Sequence, residues 1–433
     1  MKKKVVAFLP VKGSSSRIES KNMKLLDGKP LFLYTLEKLL SCEFIDEVYL
    51  DTESEEIVEL AKYLDAKILW RDEKLANNST NGNQLLLNAV NQVDADIYIQ
   101  YLCTSPFINK GTIKSALDSV LEHGYDSAFL TNKAKQYTWT NDKSDYDLNN
   151  IPNSVDLPDT TIETMGLYVI TKEAAISTQR RIGEHPFLIN ASAIEAVDVN
   201  YPDDFELANL IAAGRREEKR KLLHNLRAHL SSPLLSDIMD ELGFSNNIIL
   251  GLKVNLDNRK LLGYAKTLKI RAIKDGESPD GIYDALKSYE TIVPGDIIVV
   301  ENEIKDYAYF GELNANLAIR AGAAGALIGG ATRDSDAVKG LGFTVFAERN
   351  VCIDVKNRAV LDSMNQKINF YGVDVRPNDL IFADHEGVVV LPANNINQIL
   401  SEVYKAISTE NNVLIDIAKG VSSDELFNIH GGF

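Results

Sequence analysis

Cysteine is scarce in this chain of 433 residues: Cys42, Cys103 and Cys352 are its only three, far apart in the sequence. At such spacing they build no metal motif and no disulfide framework, and each reads as a small core residue. Basic residues are outnumbered, 46 Lys and Arg against 62 Asp and Glu, for a formal net charge of -16. A nucleic-acid grip needs a basic face, so no nucleic-acid partner is expected. Anionic small molecules remain admissible, because a few local cations and backbone N–H groups hold a phosphate. Long apolar runs are missing too. Nothing approaches the ~20 residues that span a bilayer, and Val5–Pro10 is too short for the apolar core of a secretion signal, despite the lysines before it. A soluble, cytoplasmic protein with no membrane contact is expected. Internal repeats and low-complexity tracts are absent as well.

What is present is a globular composition, 45% hydrophobic and 25% charged, on a chain long enough for two or three domains. The first half alternates strand and helix: strands at Val5–Pro10, 46–51, Lys67–Trp70, 95–102, 127–130 and 166–170, with helices at 30–40, 55–64, 84–93 and 109–122. That alternation predicts a mostly parallel, doubly wound, Rossmann-like sheet with helices on both faces. Residues 133–160 turn polar and read as an excursion or lid. The domain is expected to close through a strand at 197–199 and a helix at 203–213. A charged helix at 215–229 carries Leu222, Leu223 and Leu226 at helical spacing, so one face packs. The second half, with short strands at 296–300, 326–329, 379–382 and Val388–Leu391 and helices at 234–242 and 314–321, reads as a separate compact α/β domain. The expected domains are 1–213 and 214–433.

The loop after the first strand reads Leu9-Pro10-Val11-Lys12-Gly13-Ser14-Ser15-Ser16-Arg17, then Lys21-Asn22. A small-residue loop leaving a parallel strand exposes N–H groups at the carboxyl edge of the sheet, where open α/β folds bind ligands. Lys12, Arg17 and Lys21 add positive charge for a triphosphate. An ordinary turn also accounts for such a loop taken alone, and the Gly-Lys-Ser/Thr ending of a Walker loop is missing. Further on come Leu26-Asp27-Gly28-Lys29-Pro30-Leu31, Asp51-Thr52-Glu53-Ser54-Glu55, Cys103-Thr104-Ser105-Pro106-Phe107, Glu163-Thr164-Met165-Gly166-Leu167-Tyr168 and Val197-Asp198-Val199-Asn200.

In that order and spacing, over roughly residues 4–212, these resemble the acylneuraminate cytidylyltransferase family, which includes the enzymes that activate 3-deoxy-octulosonate. The resemblance implies a nucleotidyltransferase: a sugar-acid hydroxyl attacks the α-phosphate of CTP and releases pyrophosphate, with Mg²⁺ or Mn²⁺ neutralising charge. By the same match Lys12 and Lys21 are catalytic. Pro10, Gly13, Ser14, Ser15, Arg17, Asn22, Thr104 and Ser105 hold the nucleotide, and Asp198 and Asn200 hold the metal. Three positions depart from the family: Asn200 where a second carboxylate is usual, Ser16 where Lys is usual, and Ile108 where an Arg follows the Thr-Ser-Pro motif. An acceptor other than sialic acid, a phosphonate or another small hydroxy acid among them, is compatible with those departures.

In the second half, Phe310-Gly311-Glu312 precedes a helix, and Thr332-Arg333-Asp334 ends a glycine-flanked strand. Two carboxylates with waters suit a hard cation, and an adjacent Arg clamps a carboxylate. A surface Arg–Asp pair has the same spacing. Together with Leu235-Ser236-Asp237, Pro294-Gly295-Asp296, Leu341-Gly342-Phe343, Pro377-Asn378-Asp379 and Asp384-His385-Glu386-Gly387, the stretch from 220 to 430 is similar to the family of 4-hydroxy-4-methyl-2-oxoglutarate aldolases and regulators of ribonuclease activity A. That resemblance implies Asp334 as metal ligand, Glu312 acting through water, and Arg333 holding a 2-keto acid. His385 reads as a turn residue, and His430 as one at the surface or in contact with a neighbour.

The joint expectation is a bifunctional enzyme of surface-glycan biosynthesis that uses CTP, an acidic sugar and a 2-keto acid. The alternative is a transferase whose C-terminal domain is an idle oligomerisation or regulatory module. Both families imply symmetric homo-oligomers, dimer contacts in the first half and a trimer or hexamer through the second.

Overall fold

The run from Val5 to Leu9 is apolar and buried along its length, which suits a strand covered on both faces rather than an edge. In the computed structural model, which describes residues 2–15 and 17–431, that run is an interior strand of a seven-stranded sheet. The strands are β1 (Val5–Pro10), β2 (Glu47–Thr52), β3 (Lys67–Trp70), β4 (Ile97–Tyr101), β5 (Ser127–Ala134), β6 (Thr160–Thr171) and β7 (Pro186–Asn190), in the order β7-β5-β6-β4-β1-β2-β3. β6 runs antiparallel to β4 and β5, and the other pairings are parallel. Helices α1 (Leu31–Leu40), α2 (Glu55–Ala61), α3 (Gly82–Gln92), α4 (Lys110–Leu121) and α5 (Lys172–Thr178) lie between them. Period-two alternation divides the core: Ala7, Leu9 and Ile99 pack with Phe32, Leu36 and Ile113 on one face. Val6, Phe8 and Tyr98 pack with Leu86, Val90 and Ala175 on the other.

Three local expectations are corrected. Residues 197–199 form no strand. Val199 donates its N–H to the Thr104 carbonyl at 2.8 Å, so the segment docks on a loop and never enters a ladder. The helices expected at 203–213 and 215–229 are one, α6 (Pro202–Arg227). Gly214 stands inside it, and a mid-helix glycine lowers stability by about 1 kcal/mol without ending the helix. Within the polar excursion a small hairpin pairs Trp139–Thr140 with Lys143–Ser144, and β6 starts earlier than expected because Thr160 to Glu163 pair with Ala134 to Thr131 ahead of a register shift.

The chain divides into two compact units, Met1–Ala213 and Gly214–Phe433. In the second, β8 (Ile248–Ile249), β9 (Lys253–Val254), β10 (Leu261–Ala272), β11 (Ile297–Asn302), β12 (Gly325–Thr332), β13 (Val345–Asn350), β14 (Ala359–Met364), β15 (Leu380–Ala383) and β16 (Val388–Leu391) form a nine-stranded sheet. Its order is β8-β16-β15-β10-β11-β12-β13-β9, with β14 also on β10. The middle strands β10 to β13 are parallel. The helices are α7 (Ser232–Glu241), α8 (Glu312–Ala321), α9 (Ser335–Gly340), α10 (Ile396–Ala418) and α11 (Ser423–His430). One core gathers α8 and β10 to β12 around Phe310, Ala315 and Ile328. Another packs α7 and α10 on β15 and β16 through Leu235, Ile238, Phe382 and Ile399. His430, expected at the surface or in contact with a neighbour, is largely covered and lies 3.0 Å from Asp416 on α10. Among the described residues no helix is long and apolar enough to cross a membrane.

Candidate active sites

β1 ends at Pro10, and the Val11 N–H donates to the Asp51 carbonyl at 2.8 Å, carrying the chain onto the carboxyl edge of the sheet. In the loop that follows, Lys12 Nζ donates to Asn78 Oδ1 at 2.7 Å and the Gly13 N–H donates to Glu53 Oε1 at 2.7 Å. A side chain at Gly13 has no room, since a Cβ there meets Ser54 Cβ at 2.9 Å. Ser14 is exposed and Ser15 half-exposed, and Ser16 lies outside the described residues. Arg17 places its guanidinium over the Tyr201 ring, 5.2 Å from the centroid. Lys12 and Arg17 are thus held by different partners.

The structure brings the other N-terminal candidates together more tightly. Lys21 and Asn22 are both buried. Lys21 Nζ donates to the Val199 carbonyl at 2.7 Å, while Asn22 Nδ2 donates to the Lys12 carbonyl at 2.8 Å. The Cys103 thiol donates to Asn22 Oδ1 at 3.3 Å. Asp198 accepts from the Asn200 amide through Oδ2, and its other oxygen, Oδ1, is buried with no hydrogen-bond partner. The Asn200 N–H is fixed by Asp204 Oδ2 at 2.9 Å. Burial lowers the Lys21 pKa below its ordinary value, against the opposing pull of Cys103 and Asp198. Burial also pushes the Cys103 thiol up to about 12, so it serves as a neutral donor. Ser105 Oγ is buried without a partner, and a Cβ at Gly166 meets it at 2.6 Å.

A hard cation fits here because Asp198 Oδ1 is a carboxylate oxygen withdrawn from water and without a hydrogen-bond partner. Asn200 turns its amide N–H to Asp198, and half a turn of that amide presents its oxygen instead.

Sequence reasoning missed Arg71. It is buried directly after β3, with Nε 2.9 Å from Asp51 Oδ1 and Nη1 3.8 Å from Glu53 Oε2. The signal was a lone arginine at the carboxyl end of a parallel strand, opposite a motif already rich in carboxylates.

In the second unit, Thr332 Oγ1 and the Arg333 N–H both donate to the Phe310 carbonyl, at 2.7 and 2.9 Å. They fasten the end of β12 to the start of α8. Gly311 is required there by space: a Cβ meets Asp334 Oδ2 at 2.6 Å and Arg333 Cγ at 3.0 Å. Asp334 sits in the left-handed region at φ 54°. Its Oδ2 accepts the Glu312 N–H at 3.2 Å, with Arg333 Nε 3.6 Å away. The side chain of Glu312 is exposed. Arg333 also pairs with Asp354, Nη2 to Oδ2 at 2.8 Å, a partner that nothing in the local sequence indicates. Arg333 and Asp334 retain 36% and 43% of their side-chain exposure. Among the described residues no three His, Cys, Asp or Glu side chains cluster around a common point. The contact between Glu312 and Asp334 runs through the Glu312 backbone N–H, not through its carboxylate. His385 is exposed, and Asp384 anchors its turn by accepting the Ser232 N–H at 2.9 Å and hydroxyl at 2.6 Å.

The second constellation and all of the first but Asp198, Val199, Asn200, Tyr201 and Asp204 fall within two family matches. A family model described as Aldolase/RraA matches residues 232–390, and one described as Cytidylyltransferase matches residues 6–180. The protein of Halalkalibacterium halodurans assigned as a 4-hydroxy-4-methyl-2-oxoglutarate aldolase is 30% identical over 172 residues, 40% of this chain and 77% of that protein. The pseudaminic acid cytidylyltransferase of Campylobacter jejuni is 33% identical over 133 residues, 29% of this chain and 56% of that one. Protein DlpA of Legionella pneumophila is 26% identical over 243 residues, 56% of this chain and 38% of its own length. The chain therefore spans only about two fifths to just over half of the last two relatives.

Proposed function

Because the chain belongs to the Aldolase/RraA family through its second unit and matches the cytidylyltransferase family through its first, we propose that it is a bifunctional enzyme. The first unit transfers CMP from CTP to an acidic sugar of the 2-keto-3-deoxy class and releases pyrophosphate. The second acts on a 2-keto acid by aldol or retro-aldol chemistry.

One observation carries the transferase reading: a buried lysine, Lys21, beside a half-buried carboxylate, Asp198, whose Oδ1 is buried with no hydrogen-bond partner. Such a pair is costly to keep out of water, and it is retained where a charged ligand completes it. In this mechanism the N–H groups of Gly13 to Ser15 and the ammonium groups of Lys12 and Lys21 hold the phosphates. Thr104 and Ser105 bound the nucleotide on the next strand end, with Asn22 holding the loop to Cys103. Arg17 closes over the phosphates from the Tyr201 face. Asp198 and Asn200 are the residues that would hold Mg²⁺, which when bound would neutralise charge on the phosphates. Catalysis then comes from positioning and preorganised charge rather than from covalent chemistry.

In the second unit Arg333 grips the keto-acid carboxylate in a fork, and the N–H groups that open α8 face the same anion. Asp334 and Glu312 are the carboxylates that would hold a hard cation, which would polarise the keto oxygen. A specific observation favours a second reading of this unit as an idle module: Arg333 is already engaged by Asp354 at 2.8 Å, in a site open to solvent. The large exposed side chains beside it, Leu313 at 77% and Ile353 at 48%, support a homo-oligomer that covers this face. Its mass in solution is the check.

The test is to incubate the protein with CTP and Mg²⁺ against a panel of 2-keto-3-deoxy sugar acids, following pyrophosphate and the mass of any CMP conjugate. Pyruvate release from candidate keto acids is assayed in parallel. A CMP-sugar together with pyruvate supports both halves, and a CMP-sugar alone favours the idle module. Silence with every acid sinks the transferase reading for this class of acceptor.

A further inference from the structure

Ile108, where the resembling family carries an arginine, is buried in the hydrophobic core of the first unit and offers no cation. Another guanidinium stands at the same edge of the sheet. Arg181 places its guanidinium over Tyr168, its Cζ 3.8 Å from the ring centroid, and its side chain is only 12% exposed. The nearest carboxylate is Glu163 at 3.5 Å, and that group is engaged by the Tyr168 hydroxyl. The other contact of Arg181 Nη2 is the Met165 sulfur at 3.2 Å.

The surroundings of this arginine suit an absent anion better than they suit the arginine alone. Its Nη1 presses on the first turn of α3, so close that a Cβ on Gly82 meets it at 2.2 Å. A helix start carries positive potential, and a cation there is in the unfavourable place. Asn81 already caps the N–H groups of Asn83 and Gln84, so the helix end acts on an anion through its field. Beside it is Gln100, 1% exposed, whose Nε2 donates to the Gly82 carbonyl at 3.0 Å and whose Oε1 is buried with no partner. Gln100 pairs across the sheet with Tyr168 on one side and Phe8 on the other, two residues before Pro10 and the phosphate loop. Above them Met165 is held at φ 62°, strained for a side chain of its kind, at the register shift of β6.

From these contacts we infer that Arg181 binds the carboxylate of the acid acceptor, with Gln100 Oε1 accepting from one of its hydroxyls. The inference rests on the transferase reading and names the chemistry that would select its substrate. Tyr168 supports the guanidinium, Gly82 leaves it room, and the incoming carboxylate supplies a closer anion than Glu163, whose oxygen Arg181 shares with the Tyr168 hydroxyl.

Direct binding tests it, because binding does not need turnover. A panel of 2-keto-3-deoxy sugar acids and their methyl esters is titrated by calorimetry into the full chain, the Arg181→Gln variant and the Arg181→Lys variant. Arg181→Gln is expected to weaken the free acids by about 10- to 100-fold, Arg181→Lys by less, and neither to change ester or CTP binding. A loss equal for acid and ester, or a wild-type chain that binds acid no better than ester, overturns the inference. Turnover of CTP that is indifferent to Arg181 leaves the transferase reading standing without it. Carboxylate-dependent binding without turnover does the reverse.

Discussion

The two candidate sites are built from the same materials, a cation beside carboxylates at the carboxyl end of a parallel strand, and differ in how much water they see. Lys21, Asn22, Asp51 and Arg71 are all buried, and each has fixed partners within 3 Å. Arg333 and Asp334 are more than a third exposed, and the contact between them is 3.6 Å. Two charges 4 Å apart interact by about 1 kcal/mol in water and about 4 kcal/mol near a partly dry surface. The first site is therefore preorganised before any ligand arrives, whereas the second needs its ligand, or a covering surface, to make its charges count.

The comparison is broken most forcefully at Arg71. Arg71→Met leaves Asp51 buried without its cation, and the unfolding free energy is expected to fall by about 3–5 kcal/mol. Urea denaturation measures it, and a change under about 1 kcal/mol would mean that Asp51 takes up a proton and the pair contributes little. Next comes Lys21→Ala, expected to lower kcat for CMP transfer by about 10²- to 10³-fold while the fold is kept. Circular dichroism alongside pyrophosphate release separates the two effects. Gly311→Ala pushes Asp334 and Arg333 apart, and keto-acid cleavage is expected to drop about 100-fold with CTP turnover untouched. If both activities fall together, the second site is not independent of the first.

The smallest effect sharpens the contrast in exposure. Raising ionic strength from about 0.05 to about 0.5 M shortens the screening length severalfold. Keto-acid binding at Arg333 is expected to weaken by a few-fold, and CTP binding beside Lys21 by less. Equal salt slopes from calorimetry would remove the distinction drawn here.

Much of the fold is legible locally. β1, β3 and β16 start and stop where apolar runs meet turn residues, and the sequence pattern alone delimits them at Val5–Pro10, Lys67–Trp70 and Val388–Leu391. The misreadings share a cause. Residues 197–199 look like a strand because they alternate, but their partners are a loop and the Lys21 ammonium, which periodicity does not report. Gly214 looked like a break, yet nothing lies within 4 Å of a Cβ there and the helix runs on. In the sites, the motif residues were visible as motifs, whereas Arg71, Asp354 and Arg181 were not. Each acquires its meaning from a partner at least 18 residues away, Asp51, Arg333 or Glu163, that only the folded chain supplies.

Glu53 holds the Gly13 N–H at 2.7 Å, so the loop proposed to take the phosphates already has an anion on one of its donors. Nucleotide arrival at that donor is then a substitution reaction, in which one oxygen leaves as another enters. A substitution releases little heat, since the bond formed resembles the bond given up, and its rate is set partly by the departure of the incumbent. Glu53→Gln, a weaker incumbent, should speed the association of CTP in stopped flow more than it changes the dissociation rate.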